Sequence, residues 1–411
     1  MIRLLLFLLG TVIFLIVLTL YVSSQVFWYR RLRDWLARRW PGTRRAIWVG
    51  LSLVVLLYLN NWIFLIPLRR LRGTPDLSVP WLAFASGLWM LPSLVAFLWL
   101  KGVALFGRLG RAQFGRVGFG ARRTVSVPAG DPPNPARREW LLTAGRAAAV
   151  LPFAAIGYGF AANRIRFTVE SVPVPVANLP AALEGLKLVQ LTDIHLSPFL
   201  SRAELARAVD MANELDADVA LVTGDFITAL GDPLEDCIAE LGRLRSRLGS
   251  FGCLGNHEIY ADAEDRASEL AAERNIRMLR GQNVVLERNG ARLNLAGVDY
   301  QRRNRPYLVG ARKLIVPNAT NVLLSHNPDV FPVAAEKGFD LMISGHTHGG
   351  QITVEILHYG AFPSRFYTPY VRGLYRLGGR SGYVSRGIGT ILAPSRLGAL
   401  PEITLLTLRR S

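Results

Sequence analysis

Residues 186–195 read Leu186-Lys187-Leu188-Val189-Gln190-Leu191-Thr192-Asp193-Ile194-His195. The first six predict a strand, and the run ends in a carboxylate and an imidazole two residues apart. Four later stretches repeat the arrangement. Asp218–Val222 ends in Gly224-Asp225, and Phe251–Leu254 leads into Gly255-Asn256-His257-Glu258. Asn321–Leu324 leads into Ser325-His326-Asn327, and Leu341–Ser344 into Gly345-His346-Thr347-His348-Gly349-Gly350. Helical patterns lie between them, as in Ala203–Leu215 and Leu234–Leu248. Strands alternating with helices predict a layered α/β domain that presents its ligand groups at strand ends.

Carboxylate, imidazole and amide oxygen form a ligand set for Mn, Fe or Zn, and the lack of cysteine among them argues against a structural zinc. The two cysteines, Cys237 and Cys253, have neither disulfide nor metal spacing and are expected as buried thiols. In a regular strand Asp193 and His195 would face one side; just past a strand end, a loop can aim both at one ion. His346 and His348 repeat that spacing. An isolated histidine is more often a core or surface residue, yet five of the six histidines fall in this series. His358 has no such neighbours and is read as structural. The candidates exceed what one ion needs, whereas two ions sharing one carboxylate would use them all.

In this order, Asp-x-His, Gly-Asp, Gly-Asn-His-Glu, a lone His and Gly-His-x-His resemble the calcineurin-like metallophosphoesterases over about residues 185–400. The segment from Gly387-Ile388-Gly389-Thr390 to Pro401-Glu402 is similar to a bacterial branch of small exported or membrane-associated phosphodiesterases. The front half resembles the transmembrane proteins that carry such a domain. The resemblance implies two packed mixed β-sheets flanked by helices. It implies that Asp193, His195 and His348 hold one metal, that Asp225 bridges, and that Asn256, His326 and His346 hold the second. It places His257, supported by Asn256, beside the scissile phosphate as general acid or charge stabiliser. Many relatives carry an acid where Thr228 stands, which leaves support of the ligands there open. Gly349 and Gly350 are expected to allow close backbone approach. Arg396 is expected either to reach substrate phosphate or to be a surface arginine.

The front of the chain has a different composition. Residues 1–150 hold 20 Lys+Arg and four acids, whereas the rest holds 28 basic and 26 acidic residues. The overall +18 charge is thus concentrated between apolar runs, which argues against nucleic acid as a partner. All nine Trp lie at or before Trp140, and all six His at or after His195. Leu4–Val22, Ile47–Leu68 and Val79–Leu100 are long enough to cross a bilayer, and Ala147–Ala162 is a shorter fourth run. No small-residue cleavage site follows the first run, so it is read as retained. Residues 23–46 carry seven Arg and 101–139 eight Lys+Arg, against three Arg in 69–78. With four spans, the positive-inside rule puts both termini and the C-terminal domain outside the cytoplasm. Arg137-Arg138-Glu139-Trp140-Leu141-Leu142 before the fourth run resembles an internal twin-arginine export signal. Gly130–Pro135 is a turn or linker by composition, and Arg166–Glu170 is expected as a first strand. The expected organisation is a transmembrane helical domain over 1–165 and a metallophosphoesterase domain over 166–411.

The expected function is hydrolysis of a phosphoester or pyrophosphate at a multi-pass membrane location, on a lipid or lipid-linked phosphate. The family branch suggests UDP-2,3-diacylglucosamine as an alternative substrate, which a cytoplasmic domain would favour. Two further alternatives are a membrane half that is only an anchor and a catalytically silent receptor or scaffold.

Overall fold

The computed structural model describes every residue except 1, 41, 61–77, 116–134, 304, 357, 358, 362 and 392. The chain divides into two compact units, Met1–Gly157 and Tyr158–Ser411. The linker expected at Gly130–Pro135 lies outside the described residues up to 134, and His358 lies outside them too.

The first unit is helical: Ile2–Arg39, Thr43–Asn60, Ser78–Gly115 and Pro135–Ala147, followed by a 3-10 turn and the helix Leu151–Ala161. Among the described residues two stretches are long and apolar enough to cross a membrane, Ala85–Leu105 and Glu139–Ile165. The second contains the run that looked shortest by sequence, because the helical path begins well before Ala147. The run expected over Ile47–Leu68 continues past the described residues, and the helix around Leu4–Val22 extends to Arg39. Many apolar side chains here are exposed, among them Leu98, Trp99, Leu105 and Leu151. A polar cluster joins the first and third helices. Ser24 Oγ donates to Ser93 O at 3.1 Å, and Trp89 Nε1 donates to Gln25 Oε1 at 2.8 Å. Interhelical hydrogen bonds of this kind hold apolar helices in register.

Among the described residues the second unit contains fourteen strands: β1 (Thr168–Val176), β2 (Lys187–Leu191), β3 (Val219–Val222), β4 (Ser250–Gly252), β5 (Ile276–Met278), β6 (Gln282–Arg288), β7 (Ala291–Gly297), β8 (Thr320–Leu324), β9 (Leu341–Ser344), β10 (Val354–Ile356), β11 (Tyr359–Ala361), β12 (Gly373–Leu377), β13 (Arg380–Val384) and β14 (Glu402–Arg410). Apart from the β10–β11 hairpin they form two six-stranded mixed sheets, ordered β1-β14-β2-β3-β4-β5 and β12-β13-β9-β8-β7-β6. Strands β2 to β5 run parallel, as do β7, β8, β9 and β13. Strand β14 returns antiparallel to β2 and parallel to β1.

Period-2 geometry divides each strand between two cores. Leu188, Val219, Leu221, Val322, Leu324, Leu341 and Ile343 meet in one cluster between the sheets. Their neighbours Val189, Leu191, Ala220 and Val222 turn to the helices Arg202–Asn213, Leu234–Leu241 and Glu264–Glu273. Leu323 and Met342 turn to the helix Phe331–Lys337 on the opposite outer face. Strands buried on both faces read as continuous apolar runs.

The helix expected over Leu234–Leu248 stops at Leu241. Beyond it, Asn213 Nδ2 donates to Arg243 O at 3.0 Å and Asn213 Oδ1 accepts from Arg245 N–H at 2.7 Å. A hydrogen-bonded turn therefore carries the apolar spacing that continued through Leu244 and Leu248.

Candidate metal centre

Each candidate ligand lies just beyond the C-terminal end of its strand, and the local backbone is unusual. Asp193, His195, Asp225, His346 and His348 all adopt left-handed conformations, with φ of 51°, 48°, 55°, 76° and 51°. Non-glycine residues hold such angles where the surroundings over-determine them, most often at functional sites. Hydrogen bonds from their N–H groups hold four of them, to carboxylates at Asp225 and His346 and to main-chain carbonyls at Asp193 and His195. Asp193 N–H donates to Gly224 O at 3.0 Å and His195 N–H to Asp225 O at 3.0 Å.

The structure brings the ligand-type side chains into three overlapping groups. Asp193, His195 and His348 converge, Asp225, His326 and His346 converge, and Asp225 also lies with His195 and His257. Asp225 Oδ2 is 3.0 Å from His326 Nε2 and 3.6 Å from His195 Nε2, which puts this carboxylate between the two triads. His348 Nε2 lies 3.4 Å from Asp193 Oδ1. The His195 ring stacks on His348 at 5.0 Å and meets His257 edge-on at 4.7 Å. Asn256 is buried, and its neighbour His257 donates its backbone N–H to Asp225 Oδ1 at 2.9 Å.

The donor set fits divalent cations. His195 Nε2, His326 Nε2, His348 Nδ1 and Asn256 Oδ1 are all buried without a hydrogen-bond partner. A buried polar atom left unpaired costs roughly 1–3 kcal/mol, and four in one place imply a ligand. His326 Nδ1 donates to Thr223 O at 2.7 Å, which turns Nε2 towards Asp225 and the site. Burial drives His195 and His346 down to about 3 and His348 well below its usual range, so these rings stay neutral and able to bind a cation. Burial also lifts Asp193 to about 6. Burial acts the same way on Asp225, but the surrounding histidines, His326 foremost, outweigh it and hold that carboxyl well below the usual range. Burial opposes a charge on His326, but the adjacent Asp225 prevails and raises it to about 10.

Thr228 also serves the site. Its hydroxyl is 3.2 Å from His195 Nδ1, and its carbonyl accepts from His257 Nδ1 at 2.6 Å. Glu258 closes the Gly-Asn-His-Glu motif and has a role that its sequence position does not announce. Its buried carboxylate accepts the N–H groups of Asp225 at 3.0 Å, Phe226 at 2.7 Å and Gly255 at 2.7 Å, so it shapes the backbone that aims Asp225 and Asn256. Tyr300 lies 5.4 Å from the His346 ring and Tyr260 5.5 Å from His257; nothing in local sequence marks these aromatics. Arg396 corrects both expectations made for it. It is neither at the surface nor near solvent but fully buried, with its guanidinium bonded to main-chain carbonyls. Cys237 and Cys253 are free and buried.

Residues 186–350 match the calcineurin-like phosphoesterase family. A transmembrane protein with metallophosphoesterase domain from Bos taurus is 35% identical over 257 residues, which cover 59% of this chain and 57% of that one. A metallophosphoesterase of Helicobacter pylori is 30% identical over 62% of this chain and 68% of its own length. The phosphodiesterase YaeI of Escherichia coli is 28% identical over 54% of this chain and 82% of its own. This chain therefore belongs to the calcineurin-like metallophosphoesterase family. It spans a little over half the length of the animal relatives it matches.

Proposed function

We propose that this chain is a binuclear, metal-dependent hydrolase of phosphoester bonds, acting at a membrane. The observation that carries the proposal is the sharing of Asp225 between two ligand triads, with four orphaned donor atoms around it. Asp193, His195 and His348 would hold one cation, His326, His346 and Asn256 the other, and Asp225 would bridge. Two such cations, drawn from Mn, Fe or Zn, supply Lewis-acid polarisation of a phosphoryl group and a nucleophile usable at neutral pH. His257 donates Nδ1–H to Thr228 O, so the neutral ring offers Nε2 as an acceptor, and only the protonated ring can donate to a departing oxygen. The other role open to that cationic ring is to offset charge on the transition state.

A lipid or lipid-linked phosphate is the substrate class that best fits the surroundings. Leu230, Tyr260, Val309 and Tyr367 are exposed, and the first two follow the ligand residues Asp225 and Asn256 by four or five positions. Arg303 donates to Tyr367 O at 2.5 Å and pairs with Asp329 at 3.2 Å. Apolar side chains beside a basic one suit a phosphate on an apolar tail. The loop charges favour an extracytoplasmic catalytic unit, and so an outer-leaflet or envelope phosphate. A cytoplasmic unit would instead favour the nucleotide-linked lipid. The test is metal analysis of the purified chain together with turnover of a panel of phosphate esters and lipid phosphates. Two ions per chain and metal-dependent turnover are expected. Full loading without turnover of any ester would leave the silent-scaffold reading in its place.

A further inference from the structure

We infer that the loop of residues 386–389 is a positioning device for one half of the metal centre, the half made by Asp193, His195 and His348, and that Arg396 and Glu402 set it. This inference rests on the binuclear reading.

Arg396 has the largest fully buried side chain of the described residues. A guanidinium removed from water is tolerated only where its donors are met. Its donors go to main-chain carbonyls: Nε to Gly389 O at 3.0 Å, Nη1 to Ala399 O at 3.0 Å, and Nη2 to Arg386 O at 2.9 Å and Gly387 O at 3.0 Å. Three of these four carbonyls belong to one short loop, residues 386–389. Glu402, 1% exposed, holds the same loop from the other side. Its Oε2 pairs with Arg386 Nε at 2.9 Å, its N–H donates to Gly387 O at 3.0 Å, and its Oε1 accepts from Tyr383 Oη at 2.7 Å.

The pinned loop bears directly on two ligand segments. Ile388 N–H donates to Thr192 O at 3.1 Å and Gly389 N–H to Asp193 O at 2.7 Å. Gly387 has φ 65°, and a Cβ added there would sit 2.5 Å from Asp193 Cβ. The Arg386 stem lies against Gly349, beside His348, where an added Cβ would sit 2.5 Å from Arg386 Cγ. Asp193 and His348 thus lean on one loop. The other triad has supports of its own, Thr223 at His326 and Glu258 at the Asp225 turn, and meets Asp193 through the His346 N–H at 3.0 Å. Neither Arg396 nor Glu402 hydrogen-bonds a ligand side chain, so both would act through loop geometry alone.

The experiment titrates full-length protein in detergent with Mn(II), following stoichiometry, dissociation constants and the paramagnetic resonance signal of a coupled ion pair. Wild type, Arg396→Lys and Glu402→Gln are compared, with Gly387→Ala as a third variant that disturbs the loop without removing a buried charge. Wild type is expected to bind two coupled ions. The variants are expected to keep one ion and to bind the other about 10–100-fold more weakly, with an isolated-ion signal at intermediate loading. Circular dichroism establishes that each variant is folded. Unchanged constants for both ions in folded variants, or equal loss of both, overturn the inference and leave the binuclear reading intact. A wild-type stoichiometry of one overturns that reading and the inference with it.

Discussion

Asp225 and His257 are 2.9 Å apart through a backbone N–H, yet they are expected to fail differently when altered. Asp225 touches both triads, so Asp225→Ala is expected to abolish metal retention and turnover together. His257→Ala keeps the backbone N–H bonded to Asp225 and removes only the ring. Metal content is expected to hold while kcat falls roughly 10²–10⁴-fold, the range for losing an acid–base group. Metal analysis beside steady-state kinetics separates the two, and metal loss in the His257 variant would show that the ring is a ligand. Glu258 makes a third case. Its carboxylate takes three backbone N–H groups, and an amide in its place would turn an NH2 towards at least one of them. Glu258→Gln is expected to cost about 2 kcal/mol, the range for a lost charged hydrogen bond. That corresponds to a fall of roughly 4–8 °C in the thermal midpoint of the catalytic unit. An unchanged midpoint would mean that the turn holds itself.

At the scale of elements, the apolar runs were legible because both faces of the central strands are buried. β2, β8 and β9 lie within a residue of their expected positions, each ending where a ligand segment begins. The strands from β5 to β7 and from β12 to β14 carry no such signal in the sequence. Several are short, half-exposed or antiparallel edge strands, as the burial of β6 and β12 shows, and their alternation is weak. The helix Arg202–Asn213 starts with a capping box in which Ser201 Oγ accepts from Glu204 N–H and Ser201 N–H donates to Glu204 at 2.7 Å. Ser201→Ala is expected to cost about 1 kcal/mol, since one orphan N–H at the helix start loses its acceptor. A midpoint lower by roughly 2–4 °C with unchanged kcat is the expected result. A fall in kcat at full metal loading would instead tie this helix to the site.

For the whole molecule, the question with the largest functional consequence is the side of the membrane on which the second unit lies. The two most basic stretches, 23–46 and 101–139, flank the intervening apolar runs, and Lys and Arg are retained on the cytoplasmic side. The segment Glu139–Ile165 would then cross outwards and carry the catalytic unit with it. A reporter pair fused after Ser411, one active only outside and one fluorescent only inside, is expected to give external activity and no fluorescence. The reverse pattern would put the unit in the cytoplasm and make the nucleotide-linked lipid the leading substrate.

Which runs become core strands, and that metal-ligand residue types follow them, is legible from the order of residues alone. Those signals reside in apolar runs and motifs only a few residues long, so they survive without knowledge of partners. Which ligands share a triad emerges only in the folded chain, because the contacts that assemble them span great separations. His346 N–H meets Asp193 across 153 residues, and His326 Nδ1 meets Thr223 O across 103. The left-handed turns at Asp193, His195 and Asp225 belong to the same class, since hydrogen bonds between neighbouring strand ends impose them against local preference. Arg396 is the clearest instance. Arginine favours water, and no local pattern announces its burial. The carbonyls of residues 386, 387, 389 and 399 converge only once β13 and β14 have taken their places in different sheets, and that convergence makes the buried charge tolerable.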